Sequence, residues 1–278
     1  MRDSTALPDL RILPSNLLIP HEDSDPRRLS KLAERLRQDG YLKHPPISAA
    51  IPGTDQFVVL DGANRSMAMI ILDIPHIVTQ IVSYGDPSLT LDTWHHVISG
   101  MSLEEFEAAL LAADDLETIP CSLLEAREAL ATNNALAYIA LKEGVRIVCG
   151  PQGCPDPNIE ILSTIVNAYR GRADIFRASN DVWELQEPFY PGMIAIVVFP
   201  QIMPSDILTT VKNGGRVPSG ITRHVIPNRA LNINIPLDVM AANWDLEKKQ
   251  SWLQEWLMEK MASNSIRYYA ESTFTFDE

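Results

Sequence analysis

Polar side chains interrupt the apolar stretch "VVLDGANRSMAMIILDI" between a strand-like run and a helix-like run. A tight strand-to-helix turn directs the free N–H groups of the first helical turn outward, where they suit a phosphate. Gly62 permits a close backbone approach, Arg65 offers a two-pronged phosphate contact, and Asp61 could hold Mg²⁺ or act as a base. The plainer alternative is that Asp61 and Asn64 cap the helix while Arg65 is solvated. The turn alone leaves both interpretations open.

A second candidate is the carboxylate of Glu22 in "LLIPHEDSDPRR", which follows a strand and precedes a helix. A carboxylate near a bound nucleotide could accept the proton of a substrate hydroxyl. The alternative is that Glu22, Asp23 and Asp25 only favour the helix N-terminus through its dipole.

The elements that must position these residues indicate an α/β or α+β protein. "LRILPSNLLIP", "PPISAAI", "QFVVL" and "IPHIVTQIV" predict strands, and "ANRSMAMIIL" predicts a helix. "DSDPRRLSKLAERLRQDG" is typical of a capped helix, with Ser24 or Asp25 at the N-cap, Pro26 first and Gly40 at the C-cap. Residues 8–83 are therefore expected to form one compact α/β unit.

The remainder of the chain alternates further helices and strands. A capping box of Ser102 and Glu105 precedes the first of these helices. The predicted helices are "FEAALLAADD", "SLLEAREALA", "IEILSTIVNAYR", "PSDILTTVKNGG" and "NWDLEKKQSWLQEWLMEKMA". The predicted strands are the hairpin "LAYIALKEGVRIVC", the buried "MIAIVVFP", the alternating "ALNINIPL" and the last segment "SIRYYAESTFTF". Trp252 and Trp256, one helical turn apart, are expected to pack in a core or an interface.

Composition narrows the class of protein. The chain has 278 residues, 46% of them hydrophobic, and a formal net charge of −13, which disfavours general nucleic-acid binding. No apolar run is long enough to predict a transmembrane helix, and the N-terminal residues have no secretory pattern, so we expect a cytoplasmic protein. Three cysteines indicate no disulfide framework, and Cys149 and Cys154 are expected in an ordinary loop.

Several motifs occur in an order that resembles one superfamily. The series "I-P-x-E", a helix, "G-x-L-x-x-P-P-I" and "V-V-L-D-G-x-x-R" is similar to the ParB/sulfiredoxin superfamily, in which the Gly-x-x-Arg turn binds nucleotide phosphates. Sulfiredoxins carry a catalytic Cys where this chain has Ala63 or Asn64. The chromosome-partition ParB proteins have an arginine-rich turn and a helix-turn-helix, which is not found here. His21-Glu22 and the Asp-Gly-x-x-Arg turn resemble the free serine kinases, an archaeal ADP-dependent enzyme and a bacterial ATP-using one.

Two further segments extend this resemblance over most of residues 10–240. "VPSGITRHVIPNRALNINIPL" resembles the Pro-x-x-Thr-Arg-His segment of those kinases and matches it at Thr222, Arg223 and His224. Trp94 in "TLDTWHH" matches a tryptophan on the amino-acid side of their pocket. Without the family, the Thr-Arg-His segment could be an ordinary strand and Trp94 a core residue. The resemblance implies a ParB-like domain at residues 1–90, a second α/β domain at 91–278, and a site in the cleft between them.

The function implied is phosphoryl transfer from ATP or ADP to the hydroxyl of free L-serine, in amino-acid biosynthesis. Glu22 is expected to be the base, and Asp61 a Mg²⁺ ligand or second acid–base group. The backbone from Gly62 to Asn64, together with Arg65, would hold the phosphates.

On the amino-acid side, Thr222, Arg223 and His224 would bind the carboxylate or the phosphoryl group, and Trp94 would wall the pocket. The methyl side chain of Ala63 is not expected to contribute to catalysis, and the Ala63-Asn64 pair leaves the donor nucleotide open. A non-catalytic regulator that senses a nucleotide or amino acid is the alternative. A homodimer is expected at most through the C-terminal helix, and DNA binding is the weakest interpretation.

Overall fold

The computed structural model describes residues 7–24, 26–113, 116–150 and 159–269. The strands in these residues are β1 (Asp9–Pro14), β2 (Leu18–Pro20), β3 (Tyr41–Leu42), β4 (Ile47–Ala50), β5 (Phe57–Asp61), β6 (His76–Val82), β7 (Thr90–Thr93), β8 (His95–Ser99), β9 (Glu117–Cys121), β10 (Ala137–Leu141), β11 (Gly144–Cys149), β12 (Asp174–Ala178), β13 (Ala195–Val198), β14 (Thr222–Val225) and β15 (Ile235–Pro236). The helices are α1 (Pro26–Asp39), α2 (Ala63–Ile71), α3 (Leu103–Leu111), α4 (Leu123–Ala131), α5 (Ile159–Tyr169), α6 (Trp183–Gln186), α7 (Pro204–Lys212), α8 (Leu237–Ala241) and α9 (Leu246–Ala262). The expected mixture of helices and strands is confirmed.

The N-terminal part forms a mixed five-stranded sheet in the order β1-β6-β4-β5-β2. The pairs β1–β6 and β4–β5 are antiparallel, and β4–β6 and β2–β5 are parallel. The helix α1 begins at Pro26 and ends before Gly40, as predicted; Asp25 lies outside the described residues. Val59 of β5 is buried in one core, and Val58 and Leu60, on the other face of the strand, are buried in a second core. The end of β5 therefore lies where the two cores meet.

A second sheet has six strands in the order β12-β8-β13-β10-β11-β9, and all of its pairs are antiparallel. The sequence predicted the hairpin of β10 and β11 and the buried strand β13. The strands β8, β9 and β12 were not predicted. The capping box at Ser102 and Glu105 is present at the start of α3.

Two short strand pairs connect distant parts of the chain. β14 pairs antiparallel with β7, so that Thr222 lies opposite Thr93 and Arg223 opposite Asp92. β15 pairs with β3 next to the first sheet. The first of these pairs brings the Thr-Arg-His segment beside the segment that contains Trp94.

The C-terminal helix α9 packs against the first sheet. Leu253 is buried in the same core as residues of that sheet, and Trp252 and Trp256 pack partly buried against it. Ile12 donates its backbone N–H to the side chain of Gln250 on α9 at 3.0 Å. The tryptophan pair is thus part of a core, as expected. The domain boundary at residue 90 and the homodimer stay predictions.

Three sequence expectations are wrong. Most of "ALNINIPL" is not a strand, because Asn232 and Asn234 adopt the left-handed conformation, with φ of 54° and 49°, which breaks extended pairing. Residues 265–269 form no strand, and the rest of that predicted strand lies outside the described residues. The expectation that Cys149 lies in an ordinary loop is also wrong, because Cys149 ends β11 and is disulfide-bonded. Cys121 is a free thiol, and Cys154 lies outside the described residues.

The helices that the structure describes include none that is both long enough and apolar enough to span a membrane.

Candidate active site

The turn after β5 has the geometry of an open helix N-terminus. Gly62 is the N-cap of α2 and adopts a left-handed conformation with φ of 84°. Among the described residues, no side chain caps this helix, and its first turn contains no acidic residue. Asp61 instead accepts a hydrogen bond from the N–H of Gly62. The capping alternative for Asp61 and Asn64 is therefore not what the structure shows, and the first-turn N–H groups are left for another partner.

Asp61 lies between two arginines. Arg65 Nη2 donates to Asp61 Oδ2 at 3.1 Å, and Arg229 donates to the same oxygen. Burial alone would raise the pKa of Asp61, but the charges of Arg65 and Arg229 hold the pKa below its ordinary value. Asp61 is thus ionised at neutral pH and a weak proton acceptor.

Arg229 is a residue that the sequence analysis missed. It lies seven positions after Thr222, in a loop whose only signal was the basic residue itself in "PNRALN". The contact with Asp61 spans 168 residues of sequence. A second guanidinium at this turn doubles the positive charge available to a phosphate.

Two polar atoms of the turn are buried without a partner among the described residues. These atoms are Asn64 Oδ1 and Arg65 Nε. Buried polar atoms in folded proteins nearly always have a hydrogen-bond partner. Their orphaned state is consistent with a ligand that supplies the missing donors and acceptors.

Glu22 lies at the end of β2, where the backbone runs beside Val217. The N–H of Val217 donates to the carbonyl of His21 at 2.7 Å, and the N–H of Asp23 donates to the carbonyl of Val217 at 3.0 Å. The Glu22 side chain is 16% exposed and accepts a hydrogen bond from the Thr222 hydroxyl. Among the side chains that the structure describes, no lysine or arginine pairs with Glu22. Its carboxylate is thus held in place but not neutralised by a fixed cation.

Arg223 and Trp94 form a stacked pair. The Arg223 guanidinium carbon lies 4.4 Å from the centre of the Trp94 ring, and Nη1 lies 3.5 Å from Asp92 Oδ2. The backbone N–H of Trp94 donates to the carbonyl of Ile221 at 2.8 Å. Stacking on an aromatic face fixes the plane of the guanidinium, which suits a planar carboxylate ligand.

His224 is a neutral scaffold residue. Its Nε2 lies 2.9 Å from the Tyr84 hydroxyl, and its ring donates to the carbonyl of Leu60. Burial, together with the charge of His21, lowers the pKa of His224 to about 3. The ring therefore carries no charge at neutral pH and does not act as a cation toward a phosphate.

The expected site residues come together around the end of β5. His21 contacts the carbonyl of Val59, His224 contacts that of Leu60, and Asp61 ends the strand. The rings of His21 and His224 meet edge to face at 5.0 Å. The three separated segments predicted from the sequence thus meet at one edge of the first sheet.

No group of three or more His, Cys, Asp or Glu side chains in the described part of the chain is arranged to hold a metal ion. Mg²⁺ commonly takes only one or two protein carboxylates together with substrate phosphates and water. Asp61, beside the phosphate-binding turn, remains the candidate ligand.

Comparison with known proteins finds relatives that are similar in sequence and fold. The chain is 21% identical over 97% of its length, and 97% of the relative's, to an ATP-dependent L-serine kinase, SbnI, of Staphylococcus aureus. An ATP-dependent L-serine kinase of Desulfurococcus mucosus is 25% identical over 80% of the chain and 88% of the relative. The chain is thus similar to ATP-dependent L-serine kinases over most of its length. One from Staphylothermus marinus is 37% identical over 83 residues, 30% of the chain and 33% of the relative. No family model matches the sequence.

Solved structures of the free serine kinases have the same fold. A glutamate variant of a free serine kinase in complex with AMP aligns with a TM-score of 0.73 at 18% identity, over 85% of this chain and 95% of that chain. C-terminally truncated SbnI from Staphylococcus aureus aligns with a TM-score of 0.73 at 18% identity, over 91% and 97% of the two chains. An ADP complex of a free serine kinase variant aligns at 0.72 and 19% identity, over 85% and 95%. The sequence similarity and the structural alignments both extend over the two sheets.

Proposed function

We propose that this chain is an L-serine kinase that transfers a phosphoryl group from ATP to the hydroxyl of free L-serine and produces O-phospho-L-serine. The observation that carries the proposal is the placement of Glu22. This carboxylate is held by Thr222, has no lysine or arginine partner among the described side chains, and lies at the same sheet edge as the Asp61–Arg65 turn. The names of the three relatives support serine as acceptor and ATP as donor. They support catalysis over a sensor that binds without reaction.

Glu22 accepts the proton of the serine hydroxyl while the hydroxyl oxygen attacks the terminal phosphorus of the nucleotide. Phosphoryl transfer depends mainly on positioning and on neutralising phosphate charge, with a group to receive the hydroxyl proton. Glu22 suits that last task better than Asp61, because Arg65 and Arg229 hold the pKa of Asp61 low.

The donor phosphates bind at the N-terminus of α2. Gly62 gives the phosphates a close approach to the backbone, the N–H groups of Ala63 and Asn64 provide donors, and Arg65 and Arg229 provide charge. Asp61 would hold Mg²⁺, which would supply further neutralisation of phosphate charge when bound. The orphaned Arg65 Nε–H gains a phosphate oxygen as acceptor in this arrangement.

The amino acid binds on the side of β7 and β14. Arg223, oriented by Trp94, binds the carboxylate of serine with its planar fork. Thr222 holds Glu22, and neutral His224 supports the wall of the site through Tyr84. His224 thus acts through packing, and Arg223 carries the charge that the substrate carboxylate needs.

The test is a direct search for product. The protein is incubated with L-serine, Mg²⁺ and either ATP or ADP, and O-phosphoserine is followed by ³¹P NMR. We expect product with ATP, and a faster reaction with ADP than with ATP would reassign the donor. Parallel reactions with L-threonine and L-homoserine test the acceptor. No phosphorylated amino acid with either nucleotide would refute the proposal.

The Glu22→Gln variant tests the base. The amide keeps the size of the side chain and removes its ability to accept the proton, so turnover should fall by about 10²-fold or more while nucleotide binding persists. Glu128→Gln, an exposed change on α4, is the matched control and should retain activity. Retained turnover in Glu22→Gln would contradict the assignment and make Asp61 the candidate base.

A further inference from the structure

His21 is buried, with 2% of its surface exposed, and both of its ring nitrogens have fixed partners. Nδ1 lies 2.5 Å from the carbonyl oxygen of Val59, and Nε2 lies 2.8 Å from Thr222 Oγ1. A carbonyl oxygen only accepts hydrogen bonds, so Nδ1 carries a proton. The charge of the ring is therefore decided at Nε2 alone.

Thr222 joins His21 to Glu22. Its hydroxyl contacts Glu22 Oε1 on one side and His21 Nε2 on the other. A hydroxyl has only one proton to donate. If Glu22 is ionised and His21 is neutral, both the carboxylate and Nε2 can only accept a hydrogen bond. The single Thr222 proton then serves one of them, and the other contact has no hydrogen between its two atoms.

One additional proton completes both hydrogen bonds. Thr222 can donate to ionised Glu22 and accept from an imidazolium Nε2–H, or it can accept from a protonated Glu22 and donate to neutral Nε2. The two arrangements hold the same number of protons and differ only by one shift along the chain of three groups. The three groups are thus arranged to take up one proton, which they lack before turnover and gain when Glu22 receives the proton of the substrate.

We propose that His21 stores, through Thr222, the proton that Glu22 removes from the substrate hydroxyl, and is thus a positioning residue for the proposed kinase reaction. The serine oxygen forms its bond to the terminal phosphorus as the bond to the ADP oxygen breaks. The serine proton goes to Glu22; a proton passes from Glu22 to Thr222 Oγ1 as the Thr222 proton moves to His21 Nε2. After the products leave, the proton returns from the imidazolium through Thr222 to Glu22, which releases it to solvent.

The surroundings of His21 suit this role. In the described part of the chain, the titratable groups in contact with its ring are Glu22, 3.8 Å from Nε2, and His224, with ring centres 5.0 Å apart. His224 is neutral and adds no positive charge that would oppose an imidazolium. The carboxylate of Glu22 places an opposite charge beside Nε2. Proton storage at His21 leaves Glu22 ionised and prevents the immediate return of the proton to the product oxygen.

Three variants separate this role from a merely structural one. His21→Gln keeps hydrogen-bonding groups in the cavity but takes up no proton. Thr222→Val keeps the shape of Thr222 and removes the link, and Thr222→Ser restores the hydroxyl. We expect kcat to fall about 10²-fold in His21→Gln and Thr222→Val, at the lower end of acid–base contributions, with a displaced pH profile of kcat. Thr222→Ser should recover the wild-type pH profile.

A second measurement does not need turnover. The ¹⁵N NMR shifts of the His21 ring report whether Nε2 carries a proton. The fraction of His21 protonated at both nitrogens at pH 7 should fall in Thr222→Val and in Glu22→Gln, and return in Thr222→Ser. Failure of wild-type protein to form O-phosphoserine would overturn the proposed function, whereas the NMR arm still decides whether the three groups share a proton.

Two outcomes overturn the inference. One is a His21 protonation state that is the same in Thr222→Val and Thr222→Ser. The other is an unchanged pH profile of kcat in His21→Gln. Urea unfolding and nucleotide affinity identify any variant that has lost its fold, and in that case the NMR comparison of the two Thr222 variants decides.

Discussion

Replacing Gly62 with Ala tests the geometry of the phosphate-binding turn. Gly62 has φ of +84°, and a Cβ placed there would lie 2.8 Å from Arg65 Nη2 and 3.1 Å from the Cα of Pro46. Gly53 has nearly the same backbone, with φ of +80°, but nothing lies within 4 Å of its Cβ position. The pair Gly62→Ala and Gly53→Ala therefore separates backbone strain from the local clash.

The expected magnitudes follow from these two terms. A left-handed conformation costs an L-residue about 1–2 kcal/mol, and both variants have this cost. The guanidinium of Arg65 can move away at little cost, but the backbone of Pro46 resists, and crowding of this kind costs about 1–3 kcal/mol. Gly62→Ala should thus lose about 1–3 kcal/mol more of the free energy of unfolding than Gly53→Ala.

The same methyl group should weaken nucleotide binding. A displaced Arg65 loses a charged hydrogen bond to phosphate worth about 1.5–3 kcal/mol, which corresponds to roughly a 10- to 100-fold rise in Kd for ATP. Urea unfolding measures the first effect, and titration calorimetry with ATP measures the second. If both variants unfold alike and bind ATP alike, Arg65 does not lie over Gly62 beside the phosphates, and the proposed turn is wrong.

Two further predictions concern histidine and lysine groups held away from water. Because the pKa of His224 is about 3 in the folded protein, the unfolded chain takes up a proton first as the pH falls below about 6.5, and stability drops. Between pH 7 and pH 4.5, the free energy of unfolding measured with urea should fall by about 2–3 kcal/mol more in wild type than in His224→Asn. Equal losses in the two proteins would contradict the prediction. Lys249 is fully buried, with its ammonium bonded to the carbonyl of Met240 and to His76, and burial lowers its pKa. Lys249→Met should raise the free energy of unfolding at pH 7 by about 1 kcal/mol. As the pH rises toward 10.5, the wild-type protein should gain stability and the variant should not. A variant less stable than wild type at pH 7 would refute this.

Local signals predicted the elements that lie nearest to the site. Pro26 and Gly40 marked the ends of α1, and the Asp-Gly step marked the strand-to-helix turn. Such signals work because capping and backbone conformation are decided within a few residues. They also located Glu22 at the end of a strand, and the family resemblance assigned Thr222 to the same site, but neither predicted that the two side chains share a hydrogen bond.

What the sequence did not reveal depends on contacts between distant residues. The strand β8 pairs with β12 on one side and with β13 on the other. Its sequence "HHVIS" has no clear alternation of apolar and polar residues, so it did not predict a strand between two others. His21 and Thr222 are separated by 201 residues, and Arg229 reaches Asp61 across 168. A single sequence contains no measure of which side chains meet over such distances, and these contacts decide the protonation states of the site.

The packing of the C-terminal segment on the first sheet has a consequence for biosynthesis. Ile235, Met240 and Leu253 complete a core whose other members include Leu10 and Val78. On the ribosome, the first sheet is synthesised well before these residues, and at about 5–20 residues per second the delay is roughly ten to thirty seconds. During that interval α1 and α2 cover only part of its apolar face, and the part that awaits the C-terminal residues is a surface on which chaperones act. Completion of the core beneath the first sheet is thereby coupled to synthesis of the segment from Ile235 to Leu253.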